Sequence, residues 1–219
     1  MNYEQMSNNQ LYLTGTVVRE PKYTHEVYGE AFYETALSVE RLSHQVDIIP
    51  VTISDRLIEA RGIRVGEKIR VMGQFRSYNK QDGDRSRLLL TAFVREILDP
   101  DETANPNTIE ITGYICKPPV YRTTPFQREI CDVLIAVNRA YNKSDYIPCI
   151  LWGRNARYVQ NMPVGERLTL SGRIQSRVYS KTVDGDRVEE RTAYEVSVCK
   201  ILEEEKPFKK NEDCSNLAQ

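Results

Sequence analysis

The chain has 219 residues and a mass of 25.3 kDa, with 40% apolar and 28% charged residues, the balance of a soluble globular protein with room for two small domains. No stretch approaches the ~18 consecutive apolar residues of a membrane span, and the opening MNYEQMSNNQ lacks both the basic start and the apolar run of a secretory signal, so a cytoplasmic location is expected. The five cysteines form no C-x-x-C pair and the two histidines, His25 and His44, stand at no metal-ligand spacing, so neither a metal nor a cofactor is expected.

In chain order, the first candidate strand is LYLTGTVV (11–18), which alternates apolar and polar residues. ETALSVE (34–40) and IIPVTIS (48–54) follow, then a short helix over DRLIEARGI (55–63), closed by Gly62. KIRVMGQF (68–75) and LLLTAFVREI (88–97) complete the unit, joined through DGDR (82–85), a hairpin-turn signature. DPDETANPN (99–107) is polar and proline-bearing and reads as a linker.

The pattern then repeats. LYLTG (11–15) returns as IEITG (109–113) at an offset of 98, and VGEKIRVMGQFRS (65–77) returns as VGERLTLSGRIQS (164–176) at 99. DGDR returns at 184–187. The second set of strands is IEITGYIC, DVLIAVN, IPCILWG, RLTLSGRI and AYEVSVCKI, with a helix over RNARYVQNM (154–162). Gly15, Gly73, Gly113 and Gly172 inside these strands predict bulges or sharp bends where a sheet curls.

The expected fold is therefore all-β: two tandem five-stranded barrels of the oligonucleotide-binding (OB) type, each with a helix between strands three and four. The domains span 8–98 and 108–203, with a linker at 99–107 and a flexible tail at 204–219. Cys116, Cys131, Cys149 and Cys199 fall in apolar runs and read as small core residues.

The formal net charge of −1 is unevenly spread. Residues 8–98 carry 13 Lys and Arg against 12 Asp and Glu, and residues 107–202 carry 14 against 10. The remainder is acidic. The location of charge, rather than its total, points to the partner.

The two copies differ in their aromatics. Copy two has Tyr141, Tyr146, Trp152 and Tyr179 where copy one has Ser43, Ile48, Ser54 and Lys80. A ring needed by the shared core should recur in both, so these four are expected to face outward and to stack nucleic-acid bases. Tyr146 and Trp152 lie six residues apart on one strand and share a face over ~20 Å. Arg122, Arg139, Arg154, Arg157, Arg173 and Arg177 are interleaved with them and suit phosphate pairing. The D-G-D pairs Asp82/Asp84 and Asp184/Asp186 read as turn residues, and no catalytic constellation emerges, so an enzyme is not expected.

From TIEITG through DVLIAVNRAY, DYIPCILWGRNA and VGERLTLSGRIQSRVY to DGDRVEERTAYEV, copy two resembles the core domain of bacterial single-stranded DNA-binding proteins. Copy one resembles it more weakly, through LYLTGTVVREP, ALSVER and VGEKIRVMGQF. The resemblance implies sequence-tolerant binding and protection of single-stranded DNA in replication, recombination or repair. It nominates the same four aromatics. It also implies a homodimer presenting four barrels, a nucleoid-associated protein, and replication or repair proteins as partners. Copy one, without the four rings, is expected to act chiefly as a scaffold. The ending EEEKPFKKNEDCSNLAQ holds an acidic cluster and Phe208 but lacks the hydrophobic tip through which family members recruit partners. The alternative is an OB-fold protein-interaction factor, of the primosome or plasmid-replication accessory kind, with weak nucleic-acid binding.

Overall fold

The computed structural model describes residues 8–41, 43–82, 85–101, 103–183 and 187–202. The C-terminal tail, with Phe208, and Asp84, Asp184 and Asp186 of the D-G-D turns lie outside the described residues.

The first half comprises β1 (Asn9–Val17), β2 (Lys22–Val27), β3 (Glu30–Glu40), β4 (Val46–Ser54), α1 (Asp55–Arg61), β5 (Lys68–Asp82) and β6 (Arg85–Leu98). The second repeats the order as β7 (Asn107–Ile115), β8 (Val120–Thr123), β9 (Glu129–Arg139), β10 (Lys143–Trp152), α2 (Gly153–Val159), β11 (Arg167–Val183) and β12 (Arg187–Leu202). β1 pairs with both β3 and β5, β5 with β6, β6 in parallel with β4, and β4 with β3, closing a ring of five. The second half closes in the same order. This is the expected barrel. β2 and β8 are short exposed hairpin strands added outside each ring, which sequence alternation did not reveal because neither has a buried face.

Gly73 and Gly172 sit where the β5–β6 and β11–β12 registers shift. A Cβ there would stand 2.1 Å from the Phe93 carbonyl oxygen and 2.2 Å from that of Ser197. These bends need glycine because two backbones meet, not because of an unusual φ. Gly62 closes α1 in the left-handed conformation (φ 67°), its N–H donating to Ile58 O at 2.7 Å.

The two barrels are joined edge to edge. β1 and β7 run antiparallel, with Leu11 opposite Ile109, and both residues enter a single apolar cluster spanning the halves. Where β1 leaves β5 to reach β7, the buried Asn9 side chain takes over the ladder. Its amide donates to Phe75 O (2.7 Å) and accepts from Phe75 N (2.9 Å). Asn107 does the same with Ile174 at the same two distances.

A second pair of contacts crosses between the halves. Asp47 on β4 accepts from the Ser176 backbone N–H (2.7 Å) and hydroxyl (2.8 Å) on β11. Asp145 on β10 accepts from the Ser77 N–H (2.8 Å) on β5, and Ser77 Oγ accepts from Tyr146 N (2.7 Å). Both carboxylates are wholly buried. Arg41 grips Asp47 through two bonds of 2.6 Å, whereas Arg139 meets Asp145 through Nε alone at 3.3 Å, without hydrogen-bond geometry.

That difference sets the two carboxyls apart. Burial pushes Asp47 up, but the bonds from Arg41 and Ser176 outweigh it and hold it below its ordinary value. Burial pushes Asp145 up, and Ser77, Arg139 and Arg76 only partly offset this. Ionised Asp47 therefore contributes stability above the usual carboxylate pKa of ~3.9, lost as pH falls through its lowered folded value. Ionised Asp145 has the opposite sign and costs stability as pH rises past ~3.9. D47N should lower Tm at neutral pH, with the deficit narrowing below about pH 4. D145N should leave Tm unchanged or higher, and any gain should fade on acidification. Calorimetry across that range measures both. D47A, which strands Arg41 against the seam, should cost about 3–5 kcal/mol.

Candidate nucleic-acid interface

The outward face of the second barrel forms a groove between β10, β11 and β12. Trp152, Arg173, Arg177, Gln175 and Ser197 line it, and Arg41 enters from the first barrel. Sequence reasoning nominated Trp152, Arg173 and Arg177, and the fold brings them together. It missed Arg41, whose contribution depends on the seam: the guanidinium that grips Asp47 also donates to Ser176 O at 3.3 Å. Arg128, from the β8–β9 hairpin, was also missed.

Trp152 ends β10 with its indole about a third exposed and Nε1 donating to Ser197 Oγ at 3.2 Å. Tyr146 shares the outer face of β10 and is half-exposed, with its backbone tethered to Ser77 of the other barrel. Tyr179 is half-buried on β11, and the Arg177 guanidinium lies over its ring at 5.7 Å. Tyr141 occupies the β9–β10 turn, 94% exposed and at φ 61°. A tyrosine in the left-handed region is strained and serves no core there.

The arginines divide into two groups. Among the described residues Arg173 bonds only to Gln175 (3.3 Å), with its Nε buried and without a partner, and Arg177 lies 4.0 Å from Glu195. Arg154 is exposed on α2, and among the described residues it forms no ion pair. The other three are held by carboxylates: Arg122 by Asp132 (2.8 Å), Arg157 by Glu129 (2.5 Å) and Arg139 by Asp145. Arg139 thus belongs to the seam, a placement set by a fold in which β10 packs beside β5.

One sequence expectation is corrected. Cys131 and Cys149 are core residues and Cys116 is half-buried, but Cys199 is exposed and lines the groove, because β12 turns that face outward. Copy one also carries an outward aromatic cluster: Phe93 packs at 5.5 Å from Phe32, and His25 stacks on Phe32 at 5.2 Å. Comparing rings position by position hid it, since these rings stand on three different strands, β2, β3 and β6. The hairpin tips carry exposed Tyr28 and Phe126, 98 positions apart, and a search for aromatics shared by both copies yet followed by turn residues would have found them.

Residues 106–202 match the Single-strand binding protein family. Single-stranded DNA-binding protein 1 of Clostridium acetobutylicum is 37% identical over 91 residues, which cover 37% of this chain and 80% of that protein. The chain belongs to the single-strand binding protein family. Single-stranded DNA-binding protein 1 of Staphylococcus aureus (strain COL) is 34% identical over 89 residues, and the chain spans about half (53%) of its length. The family match lies in the second barrel, which carries Tyr141, Tyr146, Trp152 and Tyr179. A deletion mutant of the single-stranded DNA-binding protein from Thermus aquaticus superimposes with a TM-score of 0.65, covering 91% of this chain and 97% of that one. At 18% identity this is a likeness of fold, and it extends across both barrels.

The thiols report the geometry directly. Burial pushes the Cys149 thiol far up, which keeps it protonated and inert. In the native protein a maleimide should modify Cys199 readily and Cys131 and Cys149 only after unfolding, as read by peptide mass mapping. The adduct on Cys199 should change Trp152 emission, because both line one groove.

Proposed function

We propose that the chain binds single-stranded DNA with little sequence preference, through the groove of the second barrel. The observation that carries this reading is Trp152, about a third exposed, beside Arg173, Arg177 and Arg41 on one open face. An exposed indole offers a flat surface on which any base can stack, and guanidinium groups pair with phosphate whatever the base. Tyr146 extends the same face along β10, and Tyr179 with Arg177 extends it along β11. Tyr141 lies beyond Tyr146 at the turn. Arg154 can follow the backbone from α2. Arg122, Arg157 and Arg139 are engaged by carboxylates, so phosphate would have to compete for them.

Two chains pair to present four barrels, as the resemblance implies, in the service of replication, recombination or repair. Sedimentation should then give about twice 25.3 kDa.

Trp152 is the sole tryptophan, so its emission reports on this groove alone. Titration with dT oligomers should quench it strongly, high salt should weaken the binding, and duplex DNA should leave it unchanged. W152A should lose ~1–3 kcal/mol of affinity, or ~5- to 150-fold. R177Q should make the salt slope shallower by ~0.7 if its guanidinium neutralises one phosphate. No quenching by single strands at micromolar protein, with the fold intact, would overturn the reading and favour the protein-interaction alternative.

A further inference from the structure

The outward face of the first barrel is the second groove with its groups exchanged. On β5 the residues are Gln74, Phe75 and Arg76, whereas at the equivalent places on β11 they are Arg173, Ile174 and Gln175. The guanidinium and the amide have traded adjacent outward positions. The ring has moved likewise. Ser54 stands where the second barrel has Trp152, and Phe93 stands where it has Ser197. These pairs lie on neighbouring parallel strands in the same register, with Thr52 opposite Phe93 and Ile150 opposite Ser197. Each barrel therefore keeps one ring, one strand-four arginine and one strand-four glutamine over the same part of its wall. Simple decay would remove such groups without replacing them.

The cluster is also rich in cations. The Arg76 guanidinium covers the Phe93 ring at 3.7 Å, and Arg95 lies over it at 5.3 Å. Both point to Gln74 Oε1, at 2.8 and 3.5 Å. Among the described residues neither forms an ion pair. Burial, then the charges of Arg95 and Arg139, pull Arg76 down to about 10, and the Asp145 carboxylate only partly offsets them. Arg139 thus approaches this face from the second barrel, as Arg41 enters the other groove from the first. Guanidinium groups gathered where Asp145 and Glu30 offset their charge only in part cost stability, and an incoming anion would relieve it.

We propose that the first barrel carries a second single-strand contact, with Phe93 and the Arg76 guanidinium laid on it as the stacking surface and Arg95 as the phosphate partner. The proposal rests on reading the second groove as a nucleic-acid site, and it replaces the scaffold role expected for copy one.

The test uses the full chain and two dT oligomers, one of about 8 nucleotides, within the reach of a single barrel, and one about four times longer. Trp152 quenching reads the second groove, and anisotropy of a labelled oligomer reads total binding. In the R76Q/R95Q variant, short-oligomer quenching should stay within twofold of wild type. Long-oligomer affinity should fall tenfold or more, and the salt slope should become shallower by ~0.7 for each phosphate released. Arg95 is exposed, so R95Q alone leaves the Phe93–Arg76 stack in place and should show part of the loss even if the double variant folds poorly. Normal quenching with unchanged long-oligomer affinity in folded R95Q and R76Q/R95Q would overturn the proposal and leave the second groove standing. Absent quenching, with anisotropy abolished by R76Q/R95Q, would support it and sink the second groove instead. Wild-type protein that binds neither oligomer would overturn both.

Discussion

The antiparallel pairing of β1 with β7 is the constraint on which the rest of the molecule depends. It turns two edge strands into the middle of one continuous sheet and lets Leu11 and Ile109 enter a common core. An exposed edge offers unpaired backbone groups to any neighbouring chain, and this pairing satisfies them within the molecule. At its limits Asn9 and Asn107 finish the ladder with their side chains, so neither strand ends in unsatisfied buried backbone.

With the barrels set this way, β4 of one faces β11 of the other, and β10 faces β5. Asp47 and Asp145 cross these gaps to reach Ser176 and Ser77. Buried carboxylates rarely add net stability unless all their partners are in place. They do specify register, because a slip of one residue on β5 or β11 would break their bonds. The seam is not symmetric in strength. Arg41 satisfies Asp47 fully, while Arg139 satisfies Asp145 only in part, which leaves the second carboxyl the more easily neutralised.

The same crossing makes each outward face composite. Arg41 holds a carboxylate of its own barrel while lining the other barrel's groove, so one side chain belongs to both the seam and the groove. Duplication followed by exchange of neighbouring residues then gives two faces with similar contents and different layouts. One is centred on an indole with a hydroxyl partner, the other on a phenyl ring covered by a guanidinium. A single strand crossing both would meet a stacking surface and cations on each.

The sequence by itself determined the duplication, the five-stranded wall, the helices after strand three and the glycines at the corners, because period-two alternation and backbone crowding are local properties. It also placed Tyr146 with Trp152 on one face of their strand and Arg173 with Arg177 on one face of theirs, since even spacing along a strand fixes the face; the fold brought the two strands' residues into one groove. Only the tertiary structure decided which cations are free. Arg122, Arg139 and Arg157 look like Arg173 in the sequence, yet carboxylates distant in the chain or across a hairpin hold them. Likewise Cys199 and Phe93 sit in apolar runs that read as core, and they face outward because the outer side of a barrel wall can be as apolar locally as its inside. Arg41, on the first copy, lines the second copy's groove because β1 and β7 bring the barrels together. Pairings of that kind join residues about a hundred positions apart, such as Asn9 with Ile111, and no local pattern records them.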